Sequence, residues 1–114
     1  MLYKFAQQLR AKLIELKTNK ISELLTELNL SLLDKSSVHL IDEKSNDRNF
    51  NLIKQIKHLS ESIVLDMDIG DFSLVEKRIK EIYIALKSLT NISIGSLVIQ
   101  LKEILDLIKE LKEL

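Results

Sequence analysis

Residues 66–90 read DMDIGDFSLVEKRIKEIYIALKSLT, and this stretch decides the fold class. Its second part carries Val75, Ile79, Ile82, Leu86 and Leu89 at steps of three and four, which is one face of an α-helix. Its first part closes the preceding pattern on Asp68, Ile69, Gly70 and Asp71. Glycine takes the left-handed backbone that ends a helix at little steric cost. Ser73-Leu74-Val75-Glu76 has the S-x-x-E form of a capping box, which predicts a helix over 73–90 starting at Ser73. So short a connection predicts that the helices on its two sides fold back on one another, antiparallel.

The same pattern extends outward from this pair. Upstream, Leu52, Ile56, Leu59 and Ile63, with Ile53 and Met67 beside them, predict a helix over 50–67. Downstream, a second break is expected at 91–95, where Ile92 and Ile94 alternate with polar residues and an extended linker competes with continued helix. Leu97, Leu101, Ile104, Ile108 and Leu111 then predict a last helix over 96–113. At the start of the chain, Leu2, Phe5, Leu9, Leu13 and Leu16 form a stripe that is predicted to be buried, on a helix over 2–17. The phase slips after Leu16. Ile21, Leu24, Leu25, Leu28 and Leu32 form a second stripe, roughly 110° around the helix from the first. A break at 18–20 is expected, with Thr18 or Asn19 capping a second helix over 20–33. One long helix that changes its buried face is the alternative. Residues 34–49 are expected to be a loop. Asp34-Lys35-Ser36-Ser37 reads as a turn, and Ser37 suits the cap of a short helical turn at 38–42. A strand at 38–41 has no partner strand. Residues 43–49, EKSNDRN, are all polar and read as a mobile loop. The expectation is a single all-α domain over 1–114, an up-and-down antiparallel bundle of four to five helices.

Composition supports this and excludes several alternatives. The chain has 23 Leu and 15 Ile among 114 residues, with no Pro, Cys or Trp and only two Gly. Its length suits one core without covalent staples, and no disulfide scaffold can form. Seventeen basic and seventeen acidic residues cancel, which argues against broad electrostatic capture of nucleic acid or anionic membrane. Lys4, Arg10 and Lys12 interrupt the apolar run that a signal peptide needs. The longest uncharged run, 88–101, is too short to span a bilayer. A cytoplasmic location without a transmembrane segment is the expectation. The sequons at Asn29 and Asn91 are then read as chance matches.

Candidate chemistry is sparse. Asp66, Asp68 and Asp71 suggest a calcium loop, but counting from Asp66 puts Asp71 where an EF-hand needs glycine and Lys77 where it needs an acidic ligand. His39 and His58 are far apart in sequence, and no zinc spacing accompanies either. Glu23 and Glu27 have no E-x-x-H motif, so a di-iron bundle is not indicated. His58 is expected opposite the apolar stripe of its helix. An exposed mid-helix histidine in a small bundle resembles the histidine phosphotransfer domains. Those domains carry Lys and Gly shortly after the histidine, whereas Leu59, Ser60, Glu61 and Ser62 follow here, and Glu61 opposes a phosphoryl group. Basic residues gather at Lys4, Arg10, Lys12, Lys17 and Lys20, and again at Lys54, Lys57, Lys77, Arg78 and Lys80. No aromatic is interleaved among them for base stacking, and the solvated helix face is the plainer account. Tyr3, Phe5, Phe50, Phe72 and Tyr83 are expected mostly in the core. The Gly70-Asp71-Phe72 turn is similar to that of a tetratricopeptide hairpin, but it occurs once, without the 34-residue period.

No catalytic residue, metal site or cofactor is therefore expected, and the chain is read as a non-enzyme. The apolar arcs of the 73–90 and 96–113 helices are wide, roughly 180° and 200° against about 100° for a one-sided helix. Ile84 and Ile99 fall outside even these arcs, and with Leu107 they are the expected interaction residues. The expected function is a small helical protein–protein interaction module that docks by an apolar helix face. Adaptors, secretion chaperones, assembly subunits and bacterial immunity proteins have this architecture. Its partner is expected to be a protein or a second copy, including a homodimer. A phosphotransfer domain using His58 and a weak nucleic-acid-binding bundle are the alternatives.

Overall fold

The computed structural model describes residues 2–37 and 43–114. It is all helical: α1 (Leu2–Ser37), α2 (Glu43–Asp68), α3 (Phe72–Lys87) and α4 (Gly95–Glu113), with no strand among the described residues. This agrees with an all-α bundle. Each helix packs on two others, in the ring α1–α2–α3–α4. Two-sided packing accounts for the wide apolar arcs of α3 and α4. No helix among the described residues is long and apolar enough to cross a membrane. The expectations for 38–42 and for His39 lie outside the described residues.

The core is almost wholly Leu and Ile. Leu28 and Leu32 from α1, Ile56 and Ile63 from α2, Ile79, Ile82 and Leu86 from α3, and Leu97, Ile104 and Ile108 from α4 are all fully or nearly fully buried. Aromatic side chains contribute little, contrary to the sequence-based expectation. Tyr3, Phe5, Phe50 and Tyr83 are exposed, and only Phe72 packs partly against the core. The core is built from slim aliphatic stripes, and the aromatics lie off them.

The α2–α3 turn closes much as its sequence predicts. Gly70 is left-handed, with φ 75°. Its N–H donates to the Met67 carbonyl, and the Asp71 N–H donates to the Asp66 carbonyl, each at 3.0 Å. This pair of bonds is the Schellman closure. The capping box does not form. Asp71 caps α3 instead, its Oδ1 accepting from the Leu74 N–H at 3.2 Å. Glu76 is thereby free to accept from Lys112 of α4 at 3.0 Å, with Lys80 at 3.2 Å. These ammonium groups, Lys112 foremost, hold the Glu76 carboxyl below its ordinary value near 4.5.

Three further expectations are corrected. There is no break at 18–20, and α1 is one helix of 36 residues. Thr18 bonds the Glu15 carbonyl within the helix at 3.0 Å rather than capping a new one. No Gly or Pro stands there to stop propagation. Residues 34–37 and 43–49 are helical, not a loop. The physical reason in the latter segment is Asn49, which is buried. Its Nδ2 donates to the Thr90 carbonyl at 2.7 Å, and its Oδ1 accepts from the Thr90 N–H at 3.0 Å. That clamp fixes the first turns of α2 to the α3–α4 connection. It also holds Thr90 outside α3, which ends at Lys87 rather than at 90. Finally, the buried face of α2 centres on Asn49, Ile53, Ile56, Ser60, Ile63 and Met67. Ile53, Ile56, Ile63 and Met67 of the predicted face are thus buried, while the centre shifts by roughly 30° toward Asn49 and Ser60 and leaves Leu52 and Leu59 half-buried at the edge.

Candidate functional site

At 1.5 Å per residue, α1 is about 54 Å long, while α2 is about 39 Å and α3 and α4 are about 24 and 29 Å. A helix so much longer than its neighbours cannot be covered along its whole length. The molecule accordingly measures 63 × 20 × 16 Å. Residues 2–12 are all exposed, and the contribution of α1 to the core starts at Ile14, which packs partly against it. The first three turns of α1 thus form an overhang.

The overhang carries the Leu2–Leu16 stripe that the sequence predicted to be buried. Leu2 is 87% exposed, Phe5 65%, Leu9 51% and Leu16 54%, with Leu13 half-buried. The expectation of burial is overturned for a geometric reason. The residues that α1 packs on the bundle are Ile21, Leu24, Leu25, Leu28 and Leu32, whose direction is roughly 110° from the stripe. A straight helix cannot turn both faces to one core. Single exposed leucines are ordinary, but a row of them on one helix face is a candidate docking surface.

Charge frames the stripe. Lys4, Arg10 and Lys12 are exposed, and no acidic residue lies between positions 2 and 14. Glu15 is the one acid of the segment, 3.8 Å from Lys12. Lys17 at the base of the overhang donates to Glu110 of α4 at 2.7 Å, which anchors the emerging helix to the bundle.

Two shallower apolar features lie on the bundle. Leu25, Leu30, Leu33, Ile53 and Val64 line an open groove of about 450 Å³ between α1 and α2. Asn29 and Ser60 also line it: Asn29 donates to Ser60 at 3.0 Å, and Ser60 donates to the Ile56 carbonyl at 2.8 Å. A smaller groove of about 270 Å³ between α3 and α4 is lined by Ile79, Tyr83, Val98, Leu101 and Leu105.

The residues singled out in the sequence are dispersed. Ile84 and Ile99 are exposed, each on the outer side of its helix, and neither lines either of these two grooves. Leu107 is half-buried against the core, because it sits at the margin of the buried arc of α4. His58 is exposed, and its Nδ1 lies 3.8 Å from the Glu61 carboxylate. Asp66 is buried and accepts from Arg78, so it is committed to the α2–α3 contact. Among the described residues, no cluster of three or more His, Asp or Glu is placed to hold a metal ion. Of the basic residues singled out, Lys12, Lys17, Lys20, Arg78 and Lys80 lie beside carboxylates of their own chain.

Comparison with protein-family models, curated proteins and solved structures gives no match.

Proposed function

We propose that this chain is a small helical protein–protein interaction module that docks by an apolar helix face and catalyses no reaction. One observation carries the reading: the α1 overhang presents an ordered stripe of large apolar side chains beyond the reach of its own core. Burying a leucine or phenylalanine is worth about 1.5–3 kcal/mol, so a partner covering this stripe gains substantially from few residues. Ile84 and Ile99 are isolated by comparison and form at most the edge of a second contact. We read the body as an up-and-down antiparallel bundle. In support, Asn49 near the start of α2 meets Thr90 beyond the end of α3, while Asp66 near the end of α2 meets Arg78 near the start of α3. A cytoplasmic setting belongs to the same proposal, supported by a composition that needs no oxidising compartment. Phosphotransfer through His58 ranks below docking because Glu61 stands beside the imidazole. Nucleic-acid binding ranks below it because the seventeen basic residues are balanced by seventeen acidic ones.

The test compares the wild type with the Phe5→Glu/Leu9→Glu double variant. Both residues are exposed, so helix content and melting temperature are expected to stay the same. Each protein is offered a native extract and a differently tagged copy of itself. Loss of a specific binder from the variant supports docking through the overhang. Equal capture by both proteins, or none by either, overturns it.

A further inference from the structure

The spacing of the exposed stripe identifies what it docks. Leu2, Phe5, Leu9, Leu13 and Leu16 are separated by steps of three, four, four and three. The series reads the same in both directions about Leu9. We propose that the overhang pairs with the overhang of a second copy, antiparallel, with a two-fold axis at Leu9. This inference rests on the docking reading above and names its occupant.

The pairing follows from the numbers. In an antiparallel pair centred on residue 9, positions whose numbers sum to 18 lie opposite one another. Leu9 then meets Leu9, Phe5 meets Leu13, and Leu2 meets Leu16. Every apolar residue of the stripe finds an apolar partner, as an isologous two-fold interface requires. Lys4 and Glu15 lie roughly 120–140° around the helix from the stripe, so the apolar residues alone set the register. The geometry leaves room for a second helix. The stripe points roughly 110° away from the face that α1 packs on the bundle, so the second helix lies outside the core that α1 shares with the body. The bundles then sit at opposite ends of a paired segment about 22 Å long.

The area sets the strength. Four side chains that are at least half exposed, with Leu13 beside them, bury on the order of 1,000 Å² over both copies, the lower bound for a specific interface. A reversible dimer is therefore expected, rather than an obligate one.

The chain has no cysteine, so single cysteines report the register directly. Under mild oxidation, Leu9→Cys is expected to form a covalent homodimer. Leu2→Cys and Leu16→Cys are expected to cross-link when mixed with each other, and not when alone. Sedimentation over a concentration series is expected to show a monomer–dimer equilibrium, weakened about a hundredfold by Leu9→Glu, which sets two carboxylates on the axis. Efficient homodimers of Leu2→Cys and Leu16→Cys alone would mean parallel pairing and overturn the proposal. A wild type that stays monomeric at every concentration, with no cross-link at Leu9, overturns it as well. In that case, a binder lost from the Phe5→Glu/Leu9→Glu variant leaves the docking reading standing with a different partner, and no such binder removes both.

Discussion

Two stretches of the same helix, 2–16 and 21–32, carry stripes of similar residues at similar spacing and meet opposite fates. Ile21, Leu28 and Leu32 are fully buried, while Leu2, Phe5, Leu9 and Leu16 stand in solvent. Periodicity reports which side of a helix is apolar. It carries no information on whether another element lies opposite that side. The two stripes differ in direction by roughly 110°, and only one direction faces α2 and α4. The phase slip between Leu16 and Ile21, which suggests a break in the chain, is instead the boundary between an inward and an outward surface.

The largest expected contrast is in amide hydrogen exchange. Amides of 4–10 depend only on helix propensity, whereas those of 24–32 open with the core. With global stabilities of about 5–15 kcal/mol, protection is expected to differ by at least about 10³-fold along one continuous helix. Equal protection at low concentration would mean that the overhang is covered within the monomer.

Core truncation comes next. Leu28→Ala is expected to cost about 2–5 kcal/mol in denaturant unfolding, and Leu9→Ala within about 0.5 kcal/mol of zero when the protein is dilute. The same contrast holds for polar residues. Asn49→Ala leaves the half-buried Thr90 N–H and carbonyl without this partner and is expected to cost about 1–3 kcal/mol. Asn19→Ala, on the exposed side of α1, is expected to be near neutral.

Smaller effects probe the ties between helices. Gly70→Ala forces an alanine to φ 75° and is expected to cost about 1 kcal/mol. Glu76 tests charge rather than packing. Its carboxyl is held below its ordinary value by Lys112 and then Lys80, so its contribution is full above about pH 4.5 and is lost as pH falls through the lowered value. Thermal melts from pH 6 to pH 3 are expected to show a shallower acid loss for Glu76→Gln than for the wild type.

Much of the fold was legible in the chain. The α3 and α4 stripes, the closure at Gly70 and the existence of a break between α3 and α4 follow from spacing and turn chemistry, which act over a few residues. The misreadings share a cause at longer range. Residues 43–49 look like a loop because they are polar, yet Asn49 is drawn inward by Thr90, which lies 41 positions away. Ser73 looks like a cap because Glu76 follows, yet Asp71 does the capping and Glu76 turns to Lys112 of α4. Of the candidate site, the stripe itself was plain in the sequence, but its exposure was not. The available clue was the five-residue step from Leu16 to Ile21, set beside a segment with no acid before Glu15.

Local chemistry thus determined that the chain is helical, where its apolar faces lie and how its α2–α3 turn closes, because backbone preference and side-chain spacing act within a turn or two. Only the tertiary structure decided which faces are covered. Burial depends on which helices are long enough to lie beside one another, and α1 outruns its neighbours by several turns. The exposed stripe on the overhang, the surface that carries the proposed function, comes from that mismatch in length.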